Sequence, residues 1–232
     1  MVARAVREAL PGADKGDVDI QCEYDRLFGM CQHDTAVCID LQTDFVDSAN
    51  GRLAKFYDPK KLEAVSAAVA NAARLLAAAR KAGLTVAHSR SHRYGASIRR
   101  DLVGVGDAGY ELFPAVAAMP GEIVVDKWTF GAFASTQLEA ELRARGVRRI
   151  LLCGVLTNVC VFATAVQAVD RFFRVCLVED ACASFSRDWH ENAVKLINEP
   201  QRVPGHAQKA TGLYFGEVST VDRVQAALKS LP

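Results

Sequence analysis

The sequence predicts an α/β fold: a doubly wound, mostly parallel β-sheet flanked by helices on both faces. Short, almost wholly apolar runs alternate with segments whose apolar residues recur at helical spacing, a pattern typical of a parallel sheet buried on both faces. The 232 residues fit one large domain better than two small ones, and 50% of them are hydrophobic, enough for a sizeable core. We expect a single domain over residues 34–232, preceded by an N-terminal arm over the polar, mixed residues 1–33.

The predicted strands are short apolar runs bounded by polar or turn residues. They are TAVCID (35–40), LTVAH (84–88), EIVVD (122–126), RILLCGV (149–155) and RVCLVED (174–180), with GLYF (212–215) as a candidate sixth. In a doubly wound sheet, ligands bind beyond the carboxyl ends of the strands, near the point where the strand order reverses. The residues that follow the strands are therefore the candidates for a functional site.

Start and stop signals bound the predicted helices. Asp58 and Pro59 suit the N-cap and first position of a long helix, and Gly83 suits its end. Four later helices are predicted. The first begins at a capping box of Thr136 and Glu139 and runs through Leu142. The others run from Thr157 to Val169, over about 187–197, and from a cap of Ser219 and Asp222 onward.

Charge and cysteine usage exclude several classes of function. The net charge is +1, so neither nucleic acid nor an acidic membrane surface is expected as a partner. No unbroken apolar run reaches the roughly 18 residues of a membrane span. Seven cysteines without a C-x-x-C pair indicate neither a disulfide framework nor a zinc site, so we expect a cytoplasmic protein. The Ala- and Arg-rich N-terminus resembles a targeting peptide only weakly, because it contains Glu8 and Asp14.

Reactive side chains follow three of the predicted strands. The first ends in Asp40, the third runs through Asp126 into Lys127, and the fourth leads through a turn to Cys160. Each residue alone has an ordinary structural explanation, as a cap, a solvated lysine or a packed thiol. Their common position at strand ends favours one shared pocket.

The three residue types together suit acyl transfer to a thiol. A cysteine becomes a strong nucleophile as thiolate, and a helix N-terminus and a nearby ammonium both favour that form. If Thr157 or Asn158 caps the following helix, Cys160 falls in its first turn. Asp40 could then accept the thiol proton and deliver it to a leaving amine, while backbone N–H groups hold the oxyanion.

Three segments resemble motifs of one known family. CIDLQTDF is similar to the D-x-Q-x-D-F opening of the isochorismatase-like cysteine hydrolases, DKWTFGAFASTQL to their K-x-x-x-S-x-F-x-x-T-x-L segment, and CGVLTNVCV to their G-x-x-T-[DN]-x-C-V signature. The segments occur in family order, and the resemblance covers roughly residues 34–230. One departure is Gly131, which stands where the family usually has serine, so a polar contact near Lys127 is in doubt.

The resemblance implies a six-stranded sheet and a set of roles. It implies Asp40 as general acid and base, Lys127 as its electrostatic partner and Cys160 as nucleophile. It also implies a cis peptide bond between Val155 and Leu156, with the N–H groups of Leu156 and Cys160 as the oxyanion hole. Family members are commonly dimers or tetramers, so a homo-oligomer is expected.

The family contains several activities, which the sequence separates in part. Isochorismatases proper lack the signature cysteine and are disfavoured. Nicotinamidases carry a metal held by an Asp and histidines, whereas the HSRSH stretch from His88 to His92 has no carboxylate nearby, so we expect no metal and no cofactor. The roles of the two histidines stay open. A metal-free amidohydrolase acting on small amides, ureides or N-carbamoyl compounds is the favoured activity. A nicotinamidase-type amidase and a catalytically silent binding protein remain alternatives.

Residues around the motifs are the candidates for substrate contacts. Arg90, with Arg93, Arg99 and Arg100, could offer a guanidinium to a substrate carboxylate or ureido oxygen. The remaining candidates lie within or next to the motifs: Gln42, Phe45, Trp128, Phe130 and Thr157.

Overall fold

Six strands form one sheet in which every pairing is parallel. They are β1 (Asp34–Ile39), β2 (Thr85–Ser91), β3 (Ile123–Lys127), β4 (Arg149–Val155), β5 (Arg174–Ala183) and β6 (Glu217–Ser219). The computed structural model describes residues 34–52, 58–92, 104–198 and 215–229, and the expected arm over residues 1–33 lies outside these ranges. The spatial order is β3-β2-β1-β4-β5-β6, which confirms the doubly wound fold and puts the reversal of strand order between β1 and β4.

Helices cover both faces of the sheet. They are α1 (Thr43–Val46), α2 (Pro59–Lys81), α3 (Leu138–Ala144), α4 (Phe162–Asp170), α5 (Arg187–Asn198) and α6 (Val221–Lys229), with a 3₁₀ turn at Pro114–Val116 and a π-helical turn at Thr157–Val161. α2 lies across β1, β2, β4 and β5 and packs against α6, while α3, α4 and α5 lie on the opposite face. The apolar residues of β1 and β4 are consequently almost fully buried.

The long helix α2 begins and ends as its sequence signals predict. The Asp58 side chain accepts a hydrogen bond from the Lys61 N–H, which satisfies one of the free donors of the first turn. Gly83, just beyond the helix, has φ of +70°, a conformation that glycine adopts without steric cost. α2 is long and apolar enough to cross a membrane by composition, but its apolar residues pack on the sheet as a core helix.

Three local expectations differ from the structure. In the described part of the chain the sixth strand is Glu217–Ser219; of the candidate residues 212–215 only Phe215 is described, and it lies before this strand. Ser219 therefore ends a strand, and Thr220 accepts the hydrogen bond from the Arg223 N–H in α6. The capping box of α3 does not form: Gln137 stands at the N-cap, Thr136 accepts from the Leu138 N–H one residue earlier than the motif requires, and Glu139 binds Arg143 and Arg171.

Candidate active site

A buried ion pair lies at the carboxyl ends of β1 and β3. Asp40 directly follows β1, and Lys127 is the last residue of β3. The Lys127 Nζ is 2.7 Å from Asp40 Oδ2, and the two side chains are 0% and 1% exposed. Because β2 separates the two strands, the lysine side chain spans its end. Buried charges of this kind persist only where further hydrogen bonds compensate their desolvation.

Two serines of β2 provide part of that compensation. Ser89 Oγ donates to Asp40 Oδ1 at 2.8 Å, and Ser91 Oγ donates to Asp40 Oδ2 at 2.9 Å. Side chains alternate along a strand, so these two serines share one face of β2. Asp40 itself has φ of +52°, an uncommon conformation outside glycine that tends to occur at functional sites.

The Lys127 ammonium is surrounded by oxygen atoms. Besides the Asp40 carboxylate, it donates to Ser91 Oγ at 2.7 Å and to the carbonyl oxygens of Thr129 and Phe130 at 3.1 and 3.0 Å. Both carbonyls belong to the segment that follows β3, so the chain folds back over the lysine that it has just supplied. The buried Lys127 ammonium therefore has protein oxygen atoms in place of water as its hydrogen-bond acceptors.

Cys160 lies in the π-helical turn between β4 and α4. The Val161 N–H reaches back to the Leu156 carbonyl at 3.2 Å, and the peptide bond between Val155 and Leu156 is cis. π-Helical turns are rare and are found frequently at functional sites. Cys160 is 7% exposed, and the helical segment that contains it continues directly into α4, so its thiol lies near a helix N-terminus.

Gly154 brings the end of β4 against the end of β1. It has φ of +126°, and a Cβ atom there would lie 2.1 Å from the carbonyl oxygen of Ile39, its partner in the sheet. Only glycine permits this approach. The turn that carries Cys160 therefore starts beside the strand that ends in Asp40.

The turn is attached to the segment after β5. Thr157 Oγ1 lies 2.8 Å from His190 Nδ1 on α5, and Ser184 Oγ donates to the Asn158 side chain. Burial lowers the pKa of His190, which favours a neutral ring. Neither Thr157 nor Asn158 caps the helix, contrary to expectation, because both side chains turn toward β5 and α5. Thr157 is fully buried and its hydroxyl is engaged, which disfavours the expected contact with substrate.

The other thiols differ from Cys160 in their surroundings. Cys38 and Cys153, partners on β1 and β4, have sulfur atoms 3.2 Å apart, and this hydrogen bond together with burial raises the pKa of Cys153 well above its ordinary value. Burial also raises the pKa of Cys176 to about 12 and that of Cys182 further. Cys153, Cys176 and Cys182 therefore stay protonated, and with Cys38 they pack as buried core residues.

Arg90 does not point toward the Asp40–Lys127 pair. It lies between Ser89 and Ser91, so the alternation of the strand directs it to the opposite face of the sheet. There it binds both carboxylate oxygens of Asp126 at 2.8 and 3.1 Å and one of Glu111 at 2.7 Å. These contacts engage the Arg90 guanidinium away from the Asp40–Lys127 pair, and its contact with substrate stays a prediction; Arg93, Arg99 and Arg100 lie outside the described residues.

Gln42 joins β2 to the loop before β3, and its expected contact with substrate stays a prediction. Its side chain is fully buried, donates to the carbonyl oxygens of Ser91 and Tyr110 and accepts from the Ser91 N–H. It thereby fixes the end of β2 against the loop before β3.

The three aromatic candidates remain accessible to different degrees. Trp128 and Phe130 are 44% and 51% exposed, and Phe45 is half-buried. Their exposure is compatible with pocket walls, and their contact with substrate stays a prediction.

The two histidines of HSRSH have different surroundings. His88 is fully buried on the face opposite to Ser89, where its Nε2 lies 3.0 Å from Glu122, which Arg80 also binds. Burial lowers the pKa of His88, and the carboxylate only partly offsets this. Burial alone would raise the pKa of Glu122, but hydrogen bonds from Arg80, the Met119 N–H and His88 outweigh it and lower the pKa to about 2. The ring of His92 instead meets that of Trp128 edge-on, with centroids 6.0 Å apart.

Metal ligands do not assemble around these histidines in the part of the chain that the structure describes. No group of three His, Cys, Asp or Glu side chains there could hold a metal ion.

Comparisons with known proteins were made on both sequence and structure. A family model described as Isochorismatase domain matches residues 35–209. Maleamate amidohydrolase from Pseudomonas putida is 34% identical over 164 residues, which cover 65% of this chain and 74% of the relative. Ureidoacrylate amidohydrolase RutB from Variovorax paradoxus is 32% identical over 183 residues, 66% of each chain. With other curated relatives the chain spans about half of their length, at 44%, 46% and 54%.

A solved structure gives the same result for the fold. The crystal structure of a cysteine hydrolase from Pseudomonas syringae pv. phaseolicola matches with a TM-score of 0.70 and 26% identity, covering 86% of this chain and 93% of that one.

Proposed function

The chain belongs to the isochorismatase family, and on that premise we propose that it is a cysteine amidohydrolase that cleaves a C–N bond in a small amide, ureide or N-carbamoyl compound. The observation that carries the proposal is the buried Asp40–Lys127 pair at the sheet edge where the Cys160 turn also begins. The names of the two amidohydrolases among its relatives support the same reaction class.

The first step forms a thioester. Asp40 accepts the thiol proton, and the Cys160 sulfur attacks the substrate carbonyl carbon. Of the two carboxylate oxygens, Oδ2 already accepts from Lys127 and Ser91, whereas Oδ1 accepts from Ser89, so we assign the proton to Oδ1. The Lys127 ammonium lies 2.7 Å from Asp40 Oδ2 and supplies positive charge that stabilises negative charge near the thiolate.

The tetrahedral intermediate then collapses. Its oxyanion accepts hydrogen bonds from the N–H groups of Leu156 and Cys160. These groups lie at the start of a helical segment, where the helix dipole stabilises the negative charge of the oxyanion. The C–N bond breaks as Asp40 returns its proton to the leaving nitrogen, so ammonia or an amine departs and the acyl group stays on sulfur. Asp40 next accepts a proton from a water molecule as its oxygen attacks the thioester carbonyl carbon. The C–S bond then breaks, the acyl group departs as the acid, and Asp40 returns the proton to the Cys160 sulfur.

The proposal extends to the surroundings of the site. Phe45, Trp128 and Phe130 form walls for a small organic substrate, since all three retain exposed surface close to the motifs. The reaction needs no cofactor and no metal, because thiol, carboxylate and ammonium supply nucleophile, base and charge. A cytoplasmic setting and a homodimer or homotetramer remain predictions.

Ammonia release from a panel of amides, ureides and N-carbamoyl acids tests the proposal. We expect at least one member of the panel to be hydrolysed by protein treated with a chelator. Acid quenching during turnover should trap an acyl group on the peptide that contains Cys160. Hydrolysis that the chelator abolishes would support a nicotinamidase-type enzyme instead, and a panel without turnover would support a silent binding protein.

A further inference from the structure

Helix α4 holds the lysine-bearing segment through two side chains. The Ala132 N–H donates to Thr164 Oγ1 at 3.1 Å, and the next N–H, that of Phe133, donates to Gln167 Oε1 at 3.1 Å. Residues three apart on a helix lie on the same face, so Thr164 and Gln167 present two acceptors to two successive donors. We call these two residues the docking pair.

The docking pair connects the two halves of the site. Thr164 Oγ1 also donates to the Cys160 carbonyl at 2.7 Å, within the turn that carries the nucleophile. On the other side, the segment that it holds supplies the carbonyls of Thr129 and Phe130 to the Lys127 ammonium. A shift of this segment along α4 would therefore move the ammonium relative to the thiol.

Gly131 shows how closely the segment fits. A Cβ atom at this position would lie 2.3 Å from Gln167 Oε1 and 2.4 Å from its Cδ. The Gln167 amide thus occupies the space that any side chain at residue 131 would need. An added methyl group would displace the amide and break its hydrogen bond to Phe133.

We propose that Thr164 and Gln167 are positioning residues that set the Lys127 ammonium relative to the Cys160 thiol. The inference rests on the proposed function, since it requires that thiol and ammonium act together. Gln167 acts through the backbone of residues 131–133, and Thr164 acts through that backbone and through the Cys160 carbonyl; neither supplies a proposed reacting group.

The test measures how fast iodoacetamide alkylates Cys160 at pH 7.5, with the labelled peptide identified by mass spectrometry. Thr164→Val and Gln167→Met are each expected to slow labelling about five- to tenfold, the equivalent of about one buried hydrogen bond. Thr164→Ser keeps the hydroxyl acceptor without changing the charge and should label at close to the wild-type rate. Phe133 also stacks on Phe173 with centroids 5.7 Å apart, so we expect the segment to stay folded when one hydrogen bond is lost.

A matched control separates positioning from general stability. Thr35 is another fully buried threonine with one hydroxyl hydrogen bond, to the Thr85 carbonyl, at the opposite end of the sheet. Thr35→Val should lower the melting temperature about as much as Thr164→Val, yet leave the labelling rate unchanged. Equal slowing in both variants would overturn the inference.

A second pair of variants tests the fit at Gly131. Gly131→Ala should slow labelling in the wild-type background and should have no further effect in Gln167→Ala, because the amide is then absent. Slowing by the same factor in both backgrounds would overturn the proposed fit.

The controls also separate the inference from the function on which it rests. A wild-type Cys160 that iodoacetamide does not label would refute the proposed function itself. Rapid wild-type labelling that neither Thr164→Val nor Gln167→Met alters would refute only the docking pair.

Discussion

Replacing Lys127 by methionine is expected to cost about 3–5 kcal/mol of unfolding free energy, the usual cost of leaving a buried charge without its partner. Methionine retains most of the apolar stem but removes the ammonium. The Asp40 carboxylate would keep only its serine hydroxyls, and the Thr129 and Phe130 carbonyls would lose the donor that they share. Both members of the pair are at most 1% exposed, so solvent offers little screening.

A double-mutant cycle separates this effect from loss of packing. Asp40→Asn alone should also destabilise the fold, since it leaves the ammonium without a carboxylate. The double variant removes both charges and should lose less than the sum of the single variants, by about 2–3 kcal/mol, a coupling typical of residues in one network.

Urea denaturation at pH 7.5 gives the four free energies. If the losses add to within about 0.5 kcal/mol, the two charges do not interact and the reasoning is refuted. The reasoning is also refuted if each single variant lowers the unfolding free energy by less than about 1 kcal/mol, the value of an exposed salt bridge.

Three further predictions test the surrounding structure. Gly154→Ala would place a Cβ atom 2.1 Å from the Ile39 carbonyl oxygen, so it should lower the unfolding free energy by about 3 kcal/mol or more. Gly83→Ala, with φ of +70° but nothing within 4 Å of the new Cβ atom, should lower it by only about 1–2 kcal/mol. Equal losses in melting temperature would contradict this difference. Because the pKa of Glu122 is about 2 in the folded protein and 4.5 ordinarily, its contribution to stability is complete above pH 4.5 and is lost as the pH falls toward 2. Glu122→Gln should therefore show a shallower fall in urea-unfolding free energy over that range than wild type, and parallel curves would exclude the effect. Arg90→Leu should change KM for a hydrolysed substrate by less than about threefold, because the Arg90 side chain faces away from the Asp40–Lys127 pair. A much larger rise in KM would indicate that Arg90 contacts the substrate.

The fold could be predicted because its signals are local. Apolar runs mark β1 to β5, and the Asp58 cap and Gly83 mark the ends of α2. The sixth strand could not be placed in the same way, because Glu217–Ser219 is short and only half-buried on the sheet edge and lacks an apolar run. Its place is set by pairing with β5, a contact distant in sequence.

The meeting of Asp40 and Lys127 could be predicted from the sequence. Asp40 and Lys127 end strands of one parallel sheet, so their meeting follows from topology. The orientation of their neighbours does not: Ser89 faces Asp40 and Arg90 faces away because of the register of β2, and a shift of one residue would exchange them. The alternating serines of HSRSH were nonetheless a usable signal, since residues two apart share a face.

Other supporting residues carried no such signal. Gln42, Thr164, Gln167 and His190 act through backbone groups or hydroxyls that only the folded chain brings near. Thr157 illustrates the limit, because its position suggested a cap or a substrate contact, whereas tertiary packing directs its hydroxyl to α5.

The most direct test of the central claim is the rate of ammonia release by Cys160→Ala on a substrate that the wild-type protein hydrolyses. Loss of the nucleophile should lower the rate at least about 10⁴-fold, as expected when a member of a catalytic unit is removed, while the urea midpoint stays close to wild type. A folded Cys160→Ala variant that retains a tenth or more of the wild-type rate would contradict catalysis through a Cys160 thioester.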